Sequence, residues 1–364
     1  MNTTTTTTIS NLVGTVIQDG WTIIEELPRP GMVGAEDLTG GHFSIGCIAE
    51  RDKDNKKEKA FLKVIDVELA AKLFPGNFMA GMKLVSDSYA IECAILKICG
   101  SEGLDRIIKV LGFGEMPPQH GGSFPAPYIL FEHADGDLRK LISRSAAVED
   151  AWKFRALHDV AVGLQQLHRQ KIAHQDLKPS NVLIFNEDGQ GAKIGDLGRS
   201  SRQGLAAPHD SHAIAGAWAY APPEQAYGIT PERWEDHREG CDLYHLGTLT
   251  FFLFAGCVPN DYFRSALDGN ILPLAWQGAG KTDYSTALPF FTSALTEFVA
   301  SVAIDFPDWS RDELSQILLN ACNPDFRKRG DPEARARVGQ PIGIETFVSR
   351  FARLSRRALT NIKR

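Results

Sequence analysis

The chain has no C-x-x-C pair, no excess of positive charge and almost no low-complexity sequence. Its six cysteines are scattered through 364 residues, which is typical of buried thiols in a reducing compartment and disfavours a disulfide framework. The net charge of -6 gives no reason to expect nucleic acid or a membrane surface as a partner. A composition of 43% hydrophobic and 23% charged residues indicates an ordinary globular protein.

Long apolar runs are missing as well. None reaches the roughly 18 residues of a membrane span, and the best candidate, Leu246 to Val258, fits a buried helix. The tract from Thr3 to Thr8 lacks the basic and apolar regions of a secretory signal. We therefore expect a disordered threonine-rich tail over residues 1–14, no membrane partner and a cytoplasmic location.

The first part of the chain alternates in a way that predicts strands. These strand-like runs are Trp21 to Leu27, Phe43 to Glu50, Lys59 to Ile65, Ile107 to Gly114 and Tyr128 to Glu132. The polar residues 51–58 predict a hairpin turn between the second and third runs. Apolar residues at helical spacing predict one helix over 82–99.

From about residue 151 the pattern becomes mostly helical, beginning with the amphipathic stretch Ala151 to Gln170. Short strands are predicted at Val182 to Phe185 and Ala192 to Ile194. The sequence therefore predicts an α+β fold of two lobes. A small β-rich N-lobe with one main helix spans 15–132, a larger helical C-lobe spans 133–353, and a basic end spans 354–364.

One segment, Ala173 to Ile184, carries an acid, a cation and an amide at fixed spacing before an apolar run. These residues are Asp176, Lys178 and Asn181. Phosphoryl transfer needs a carboxylate for the incoming hydroxyl, a positive charge near the phosphate and an amide oxygen for a metal ion. A simple turn explains the composition, but it does not explain these offsets.

Lys63 occupies an inward position of a predicted strand. A buried lysine is costly unless it is paired, so we expect an acidic partner, and Glu92 in the following helix is the natural one. The alternative is a surface lysine, which is the usual position of this residue type.

Asp196 ends a short predicted strand and precedes Leu197-Gly198. A carboxylate there can reach a metal ion while the chain turns sharply away. Oxygen ligands from Asp196 and Asn181, completed by phosphates and water, suit Mg²⁺. Such a triplet is common by itself, and its position after Asn181, behind a turn and a strand, is what makes it specific.

Together these motifs resemble those of eukaryotic-type protein kinases, from about Trp21 to about Phe351. His174 to Asn181 is similar to H-R-D-L-x-x-x-N with Gln175 in place of the arginine, and Asp196-Leu197-Gly198 is similar to D-F-G. Gly216 to Glu224 resembles the end of an activation segment. Asp-Leu-Lys-Pro-x-Asn resembles the serine/threonine class, and the compact form resembles a prokaryotic member.

The resemblance implies ATP and Mg²⁺ as cofactors and a protein as the substrate. Asp176 would be the catalytic base, and Lys178 would neutralise charge on the γ-phosphate. Asn181 and Asp196 would hold the metal. Lys63 would hold the α- and β-phosphates while paired with the helix glutamate.

The nucleotide would also contact the backbone. The stretch Glu132 to Ala134 matches the segment that binds adenine in the family, and Gly40 and Gly41 match a glycine-rich loop over the phosphates. This loop is irregular, because Thr39 and Ser44 replace two of its glycines. An ordinary hairpin loop is the alternative.

Other matches imply structural support. Glu224 needs a cation, and Arg327 stands where the family places one. Asp242 should brace the backbone of the catalytic loop. Ala217 departs from the family, because it lacks the threonine hydroxyl that links Asp176 to Lys178.

Two further features are open to a plain interpretation. His209 and His212 have metal-like spacing, but no cysteine or carboxylate cluster completes a site, so we expect them to be exposed. Basic residues near the C-terminus accompany Phe347, Phe351 and Leu354 at helical spacing. They predict a final helix with a solvated basic face, or alternatively a docking helix for an acidic partner.

The leading hypothesis is an active serine/threonine protein kinase. The alternatives are a pseudokinase that acts as a scaffold or regulator, and a small-molecule phosphotransferase of kinase-like fold. Lys63, Glu92, Asp176, Asn181 and Asp196 are all present, which disfavours the pseudokinase.

Gln175 generates a prediction about regulation. Without an arginine there, phosphate on the segment from Asp196 to Glu224 has less positive charge to bind. We expect treatment with a phosphatase to leave phosphoryl transfer to a protein substrate unchanged. Complete loss of activity after that treatment would contradict the prediction.

Overall fold

The computed structural model describes most of the chain, in six stretches: residues 12–28, 44–67, 77–118, 124–144, 148–185 and 189–362. Gly40 and Gly41, predicted to contact phosphates, lie outside the described residues. The chain divides into two compact units, one of residues 1–103 and 108–134 and the other of residues 104–107 and 135–364. The first is β-rich and the second is mainly helical, which confirms the predicted α+β class.

A five-stranded antiparallel sheet and one long helix form the described part of the first unit. The strand order is β1-β2-β3-β5-β4. The strands are β1 (Thr22–Glu26), β2 (Ser44–Lys53), β3 (Lys56–Ile65), β4 (Val110–Met116) and β5 (Ala126–Glu132). Helix α1 (Phe78–Ser101) begins after Asn77, whose side chain accepts a hydrogen bond from the amide of Ala80.

The hairpin between β2 and β3 is tighter than the sequence predicted. Only Asp54 and Asn55 form the turn, both with positive φ, as two-residue hairpin turns of this hand require. The polar residues on either side continue the strands, and Arg51 donates to Glu58 across them at 2.8 Å. Polarity alone does not separate an exposed strand end from a turn.

The expected disordered tail does not extend to residue 14. Leu12 is fully buried in the core of the first unit together with Ile17 and Trp21. The amide of Gly14 donates to the carbonyl of Ile23 at 2.8 Å. The apolar residues after the threonine tract cover one face of the sheet, which gives them a reason to be ordered.

The second unit contains two small antiparallel sheets, in the orders β6-β8-β9 and β7-β10. Their strands are β6 (Gly136–Asp137), β7 (Ile172–Ala173), β8 (Val182–Phe185), β9 (Gly191–Ile194) and β10 (Ser201–Arg202). The helices are α2 (Leu138–Arg144), α3 (Asp150–Arg169), α4 (Pro223–Ala226), α5 (Gly240–Ala255), α6 (Pro259–Ala266), α7 (Tyr284–Val302), α8 (Arg311–Ala321), α9 (Pro332–Arg335) and α10 (Ile344–Ile362). A π-helical turn, Glu235–Glu239, leads into α5.

One described helix, Tyr284–Asp305 with a mean hydropathy of 1.6, is long and apolar enough to cross a membrane by length and composition alone. The bent pair Glu235–Ala255 and Pro259–Ala266 passes the same test. Core helices of globular proteins pass it too, and α7 buries Phe291 and Leu295 inside the second unit. Serine and threonine interrupt its apolar residues, so no uninterrupted run marks it in the sequence.

The C-terminal helix α10 packs against α3. Phe351, Leu354 and Ala358 are buried, so the helix continues without a break through the start of the basic end predicted at residue 354. The six cysteines are free thiols, and only Cys257 is partly exposed.

The cation that pairs with Glu224 is Arg329, and the predicted partner Arg327 was wrong. Arg329 donates to both carboxylate oxygens, at 2.6 and 2.7 Å, and its side chain is fully buried. Burial disfavours the charged guanidinium, but Glu224 outweighs this and raises the pKa of Arg329. Arg327 lies at the surface and pairs with Asp325 instead.

This pair predicts two very different mutational costs. Replacing Arg329 with methionine leaves Glu224 buried without its cation, and the expected loss in the free energy of unfolding is about 3–5 kcal/mol. Replacing Arg327 with alanine removes an exposed pair, and the expected loss is below about 1 kcal/mol. Urea unfolding of the two variants checks this, and equal losses would contradict it.

Candidate active site

The first unit contains the predicted pair of Lys63 and Glu92. Side chains alternate along β3, so Leu62 and Val64 enter the core cluster of the sheet while Lys63 projects from the opposite face. Its ammonium contacts both oxygens of Glu92, at 2.8 and 3.0 Å. Both side chains are almost fully buried, so neither charge is left without an opposite one.

Asp176, in the second unit, is held by three neighbours. Its Oδ2 accepts from Lys178 at 2.9 Å, its Oδ1 accepts from the amide of Ala217 at 2.8 Å, and its carbonyl accepts from the side chain of Asn181 at 2.8 Å. The side chain is buried. The carboxylate is therefore fixed in one orientation.

Ala217 lacks a hydroxyl, but its backbone still contacts the site. Gly216 before it permits this close approach. A Cβ on Gly216 would lie 2.4 Å from the backbone oxygen of Gln175 and 2.7 Å from Oδ1 of Asp176. The amide of Ala217 therefore takes over part of the anchoring that a threonine hydroxyl would supply.

Asn181 and Asp196 are brought together by the backbone. The amide of Gly195 donates to the carbonyl of Asn181 at 2.8 Å, which sets Asp196 next to the catalytic segment. The side-chain nitrogen of Asn181 donates to the carbonyl of Asp176, so the side-chain oxygen points away from that carbonyl. Amide and carboxylate oxygens suit Mg²⁺. Among the described residues no group of three His, Cys, Asp or Glu side chains could hold a metal.

Asp242 braces the loop, as predicted. Its carboxylate is fully buried at the start of α5. It accepts hydrogen bonds from the amides of His174 at 2.9 Å and Gln175 at 2.7 Å, and it contacts Nε2 of His168 at 2.9 Å. Two consecutive amides and a ring are thus tied to one anion.

The charges of this brace shift the pKa values of both His168 and Asp242. Burial alone lowers the pKa of His168, but the hydrogen bond and charge of Asp242 outweigh it and raise that pKa above its usual 6.5. Burial alone raises the pKa of Asp242, and the hydrogen bond from His168 outweighs it and lowers that pKa. Each partner favours the charged form of the other.

Two non-glycine residues of the site have a left-handed backbone. Gln175 has a φ of 63° and Asp196 a φ of 52°. Among non-glycine residues Asn and Asp tolerate this region best, so it is less favourable for Gln175 than for Asp196. The bonds around them, including those of Asp242 to the loop, hold the backbone there.

The predicted adenine-binding stretch ends the first unit. The amide of Glu132 donates to the carbonyl of Lys109 at 3.0 Å, and the Glu132 carboxylate accepts from the amide of Lys109 at 2.8 Å. The Glu132 amide is therefore already in use. Ala134 is the last residue before the second unit.

Sequence reasoning missed Arg238. It lies in the π-helical turn and donates to the side-chain oxygen of Gln175. The run Trp234-Glu235-Asp236-His237-Arg238-Glu239 looks like an exposed polar helix, yet Arg238 is buried. His209, expected to be exposed, is buried too, whereas His212 is exposed.

The family model of the protein kinase domain matches residues 43–330. The chain is 24% identical over 313 residues to mitogen-activated protein kinase kinase 5 of Leishmania mexicana, covering 78% of this chain and 56% of that protein. It is 30% identical over 223 residues to the leucine-rich repeat receptor-like serine/threonine/tyrosine-protein kinase SOBIR1 of Arabidopsis thaliana, covering 57% of this chain and 30% of that protein.

A bacterial protein is similar as well. The probable serine/threonine-protein kinase PknB of Corynebacterium glutamicum is 32% identical over 146 residues, covering 39% of this chain and 22% of that protein. The chain thus spans between about a fifth and just over half of the length of these three relatives.

The brace predicts a pH dependence of stability. Because the folded-state pKa of His168 is raised, its stabilising contribution is complete below the unfolded-state pKa and is lost as pH rises through the folded value. We compare wild type with His168→Gln, which keeps a donor but cannot take up a proton. The excess unfolding free energy of wild type should fall by about 1.4 kcal/mol per pH unit within that window, above pH ~6.5.

Chemical unfolding at a series of pH values measures this excess. His212→Gln removes an exposed histidine from the same unit and should leave the pH dependence of wild type intact. An equal pH dependence in wild type and His168→Gln would show that folding does not raise the pKa of His168.

Proposed function

The chain belongs to the protein kinase domain family, and on that premise we propose that it is a serine/threonine protein kinase. It would transfer the γ-phosphate of ATP to a serine or threonine hydroxyl of a protein. The observation that carries this proposal is the arrangement in which Lys178 and Asn181 both donate hydrogen bonds to the buried Asp176. Relatives named as serine/threonine-protein kinases support the hydroxyl class.

Asp176 accepts the proton of the attacking hydroxyl in this proposal. Its two oxygens are already oriented by Lys178 and by the amide of Ala217. A base that is fixed before the substrate arrives loses little freedom in the reaction, which lowers the barrier. The ammonium of Lys178 supplies positive charge for the phosphoryl group as it passes to the hydroxyl.

The phosphates of ATP need further positive charge. Mg²⁺, when bound with ATP, neutralises charge on the phosphate oxygens, and Asn181 and Asp196 would hold it. Lys63 would bind the α- and β-phosphates, while Glu92 keeps its ammonium in place through two hydrogen bonds. Both roles rest on the oxygen and ammonium chemistry of these side chains.

Two variants test the mechanism. Asp176→Asn keeps the shape of the side chain but cannot accept the proton, so we expect the rate of transfer to fall by about 10²–10⁴-fold with ATP binding retained. Lys63→Ala should weaken ATP binding as well as transfer, whereas Lys59→Ala, an exposed lysine on the same strand, should change neither. The assay uses labelled ATP, Mg²⁺ and a generic protein substrate.

The outcomes separate the candidate functions. Transfer that survives in both Asp176→Asn and Lys63→Ala would disprove this mechanism. A wild-type protein that binds ATP tightly but transfers no phosphate would be a pseudokinase that serves as a regulator. Ala217 is the residue that favours this second candidate, because it lacks the hydroxyl of the family pattern.

A further inference from the structure

An ionic link between a buried arginine and a partly exposed aspartate joins the segment from Asp196 to Glu224, here called the activation segment, to the catalytic loop. Asp210 lies in this segment, in the short turn Pro208–Ser211. Its Oδ1 accepts from Nη2 of Arg238 at 3.0 Å, and its Oδ2 accepts from the amide of Ala207 at 2.7 Å. The carboxylate therefore fixes its own turn and holds a cation.

Arg238 carries the link onward. Its other terminal nitrogen donates to the side-chain oxygen of Gln175. The Nε2 of Gln175 donates to the carbonyl of Arg199 at 2.9 Å and to the hydroxyl of Ser201 at 2.7 Å. Ser201 in turn donates to Asp210, so the hydrogen bonds form a closed ring of Asp210, Arg238, Gln175 and Ser201.

The ring bears on the candidate site because it contains Gln175. Gln175 directly precedes Asp176, and its side chain is 1% exposed. Because its backbone is left-handed, the loop depends on surrounding bonds to keep this conformation. Hydrogen bonds to the oxygen and from the nitrogen of its side-chain amide hold Gln175, and through it the start of the catalytic segment.

The charges of the ring do not need an outside anion. Burial lowers the pKa of Arg238, and Asp210 is the first group to oppose that change. The neighbouring His209 adds no second cation at neutral pH, since burial and the charge of Arg199 lower its pKa to about 4. Asp210 is thus the carboxylate that pairs with the Arg238 guanidinium.

The hydroxyl groups of the activation segment also indicate that Arg238 needs no phosphate as its anion. The segment contains three serines, one tyrosine and no threonine. Ser200 and Ser201 are 0% and 1% exposed, and Ser201 is already bonded within the ring. Ser211 is the exposed serine, and it directly follows Asp210, which already provides an anion for Arg238.

We propose that Asp210 and Arg238 are positioning residues for phosphoryl transfer. Their permanent ion pair anchors the activation segment to Gln175 and so holds Asp176 in its working orientation. Kinase activation segments can be ordered by new arginine–phosphate pairs, and here a carboxylate of the segment itself takes the place of the phosphate. This inference rests on the proposed kinase function.

The kinetic test uses phosphatase-treated protein, so that no added phosphate can substitute for Asp210. Asp210→Asn and Arg238→Met should each lower kcat at least tenfold, with KM for ATP within twofold of wild type. Asp210→Glu should restore kcat to within threefold. The double variant should be no more than twofold worse than Arg238→Met, because both changes break the same link.

Two controls remove the alternatives. Asp159 is a buried carboxylate of the same unit that also contacts an arginine and a backbone amide, Arg106 at 3.4 Å and Ala192 at 3.1 Å. Asp159→Asn should lower thermal stability but keep kcat within twofold. Ser211→Ala should keep kcat within twofold too, because the exposed hydroxyl has no part in the link.

The inference is overturned if Asp210→Asn and Arg238→Met keep kcat within twofold of wild type, or if Asp159→Asn loses as much kcat as they do. Hydrogen exchange supplies a readout that does not need activity. In Asp210→Asn, peptides covering 174–181 and 196–224 should exchange faster than in wild type, and in Asp159→Asn they should not. Unchanged exchange in both segments of Asp210→Asn overturns the link, whether or not the protein transfers phosphate. A wild-type protein that transfers no phosphate would count separately against the kinase function.

Discussion

The carboxylate of Asp242 is the contact on which the candidate site depends. It is completely enclosed by protein, and its oxygens are hydrogen-bonded to two consecutive amides of the catalytic segment and to the ring of His168. An anion buried in this way is stable only while its donors stay in place. The loop therefore cannot move away from α5 without leaving a charge unsatisfied, and this ties the position of Asp176 to the packing of the helical unit.

The same rule governs three other ion pairs, which are buried except for the partly exposed Asp210. Lys63 with Glu92, Arg329 with Glu224 and Arg238 with Asp210 each join residues that are distant in sequence. Such pairs contribute little net stability, because desolvation offsets their attraction. They do make one arrangement of the chain much lower in free energy than alternative arrangements. In this protein one pair joins a strand to a helix and two fix loop segments, whereas Leu, Ile and Phe side chains fill the cores.

Sequence patterns predicted those parts of the fold that are marked by a regular arrangement of apolar residues or by a charge that needs a partner. Val182 to Phe185 was located without error, and the pairing of Lys63 with Glu92 followed from the cost of an unpaired buried lysine. Arg329 was missed because two arginines lie two residues apart in one turn, and only the fold decides which one is enclosed. Arg238 was missed for a related reason: burial of a polar helix depends on what packs over it, and Asp210 and Gln175 come from other parts of the chain.

The left-handed backbone of Gln175 carries a cost that the rest of the second unit sustains. Backbone strain of this kind persists where the surroundings over-determine a conformation. Glycine at position 175 would relieve the strain, yet it would also enlarge the freedom of the unfolded chain and remove the side chain that anchors the loop. The chain therefore keeps a strained residue directly before Asp176, the proposed catalytic base. Selection for greater stability alone would act against the geometry on which the proposed activity rests.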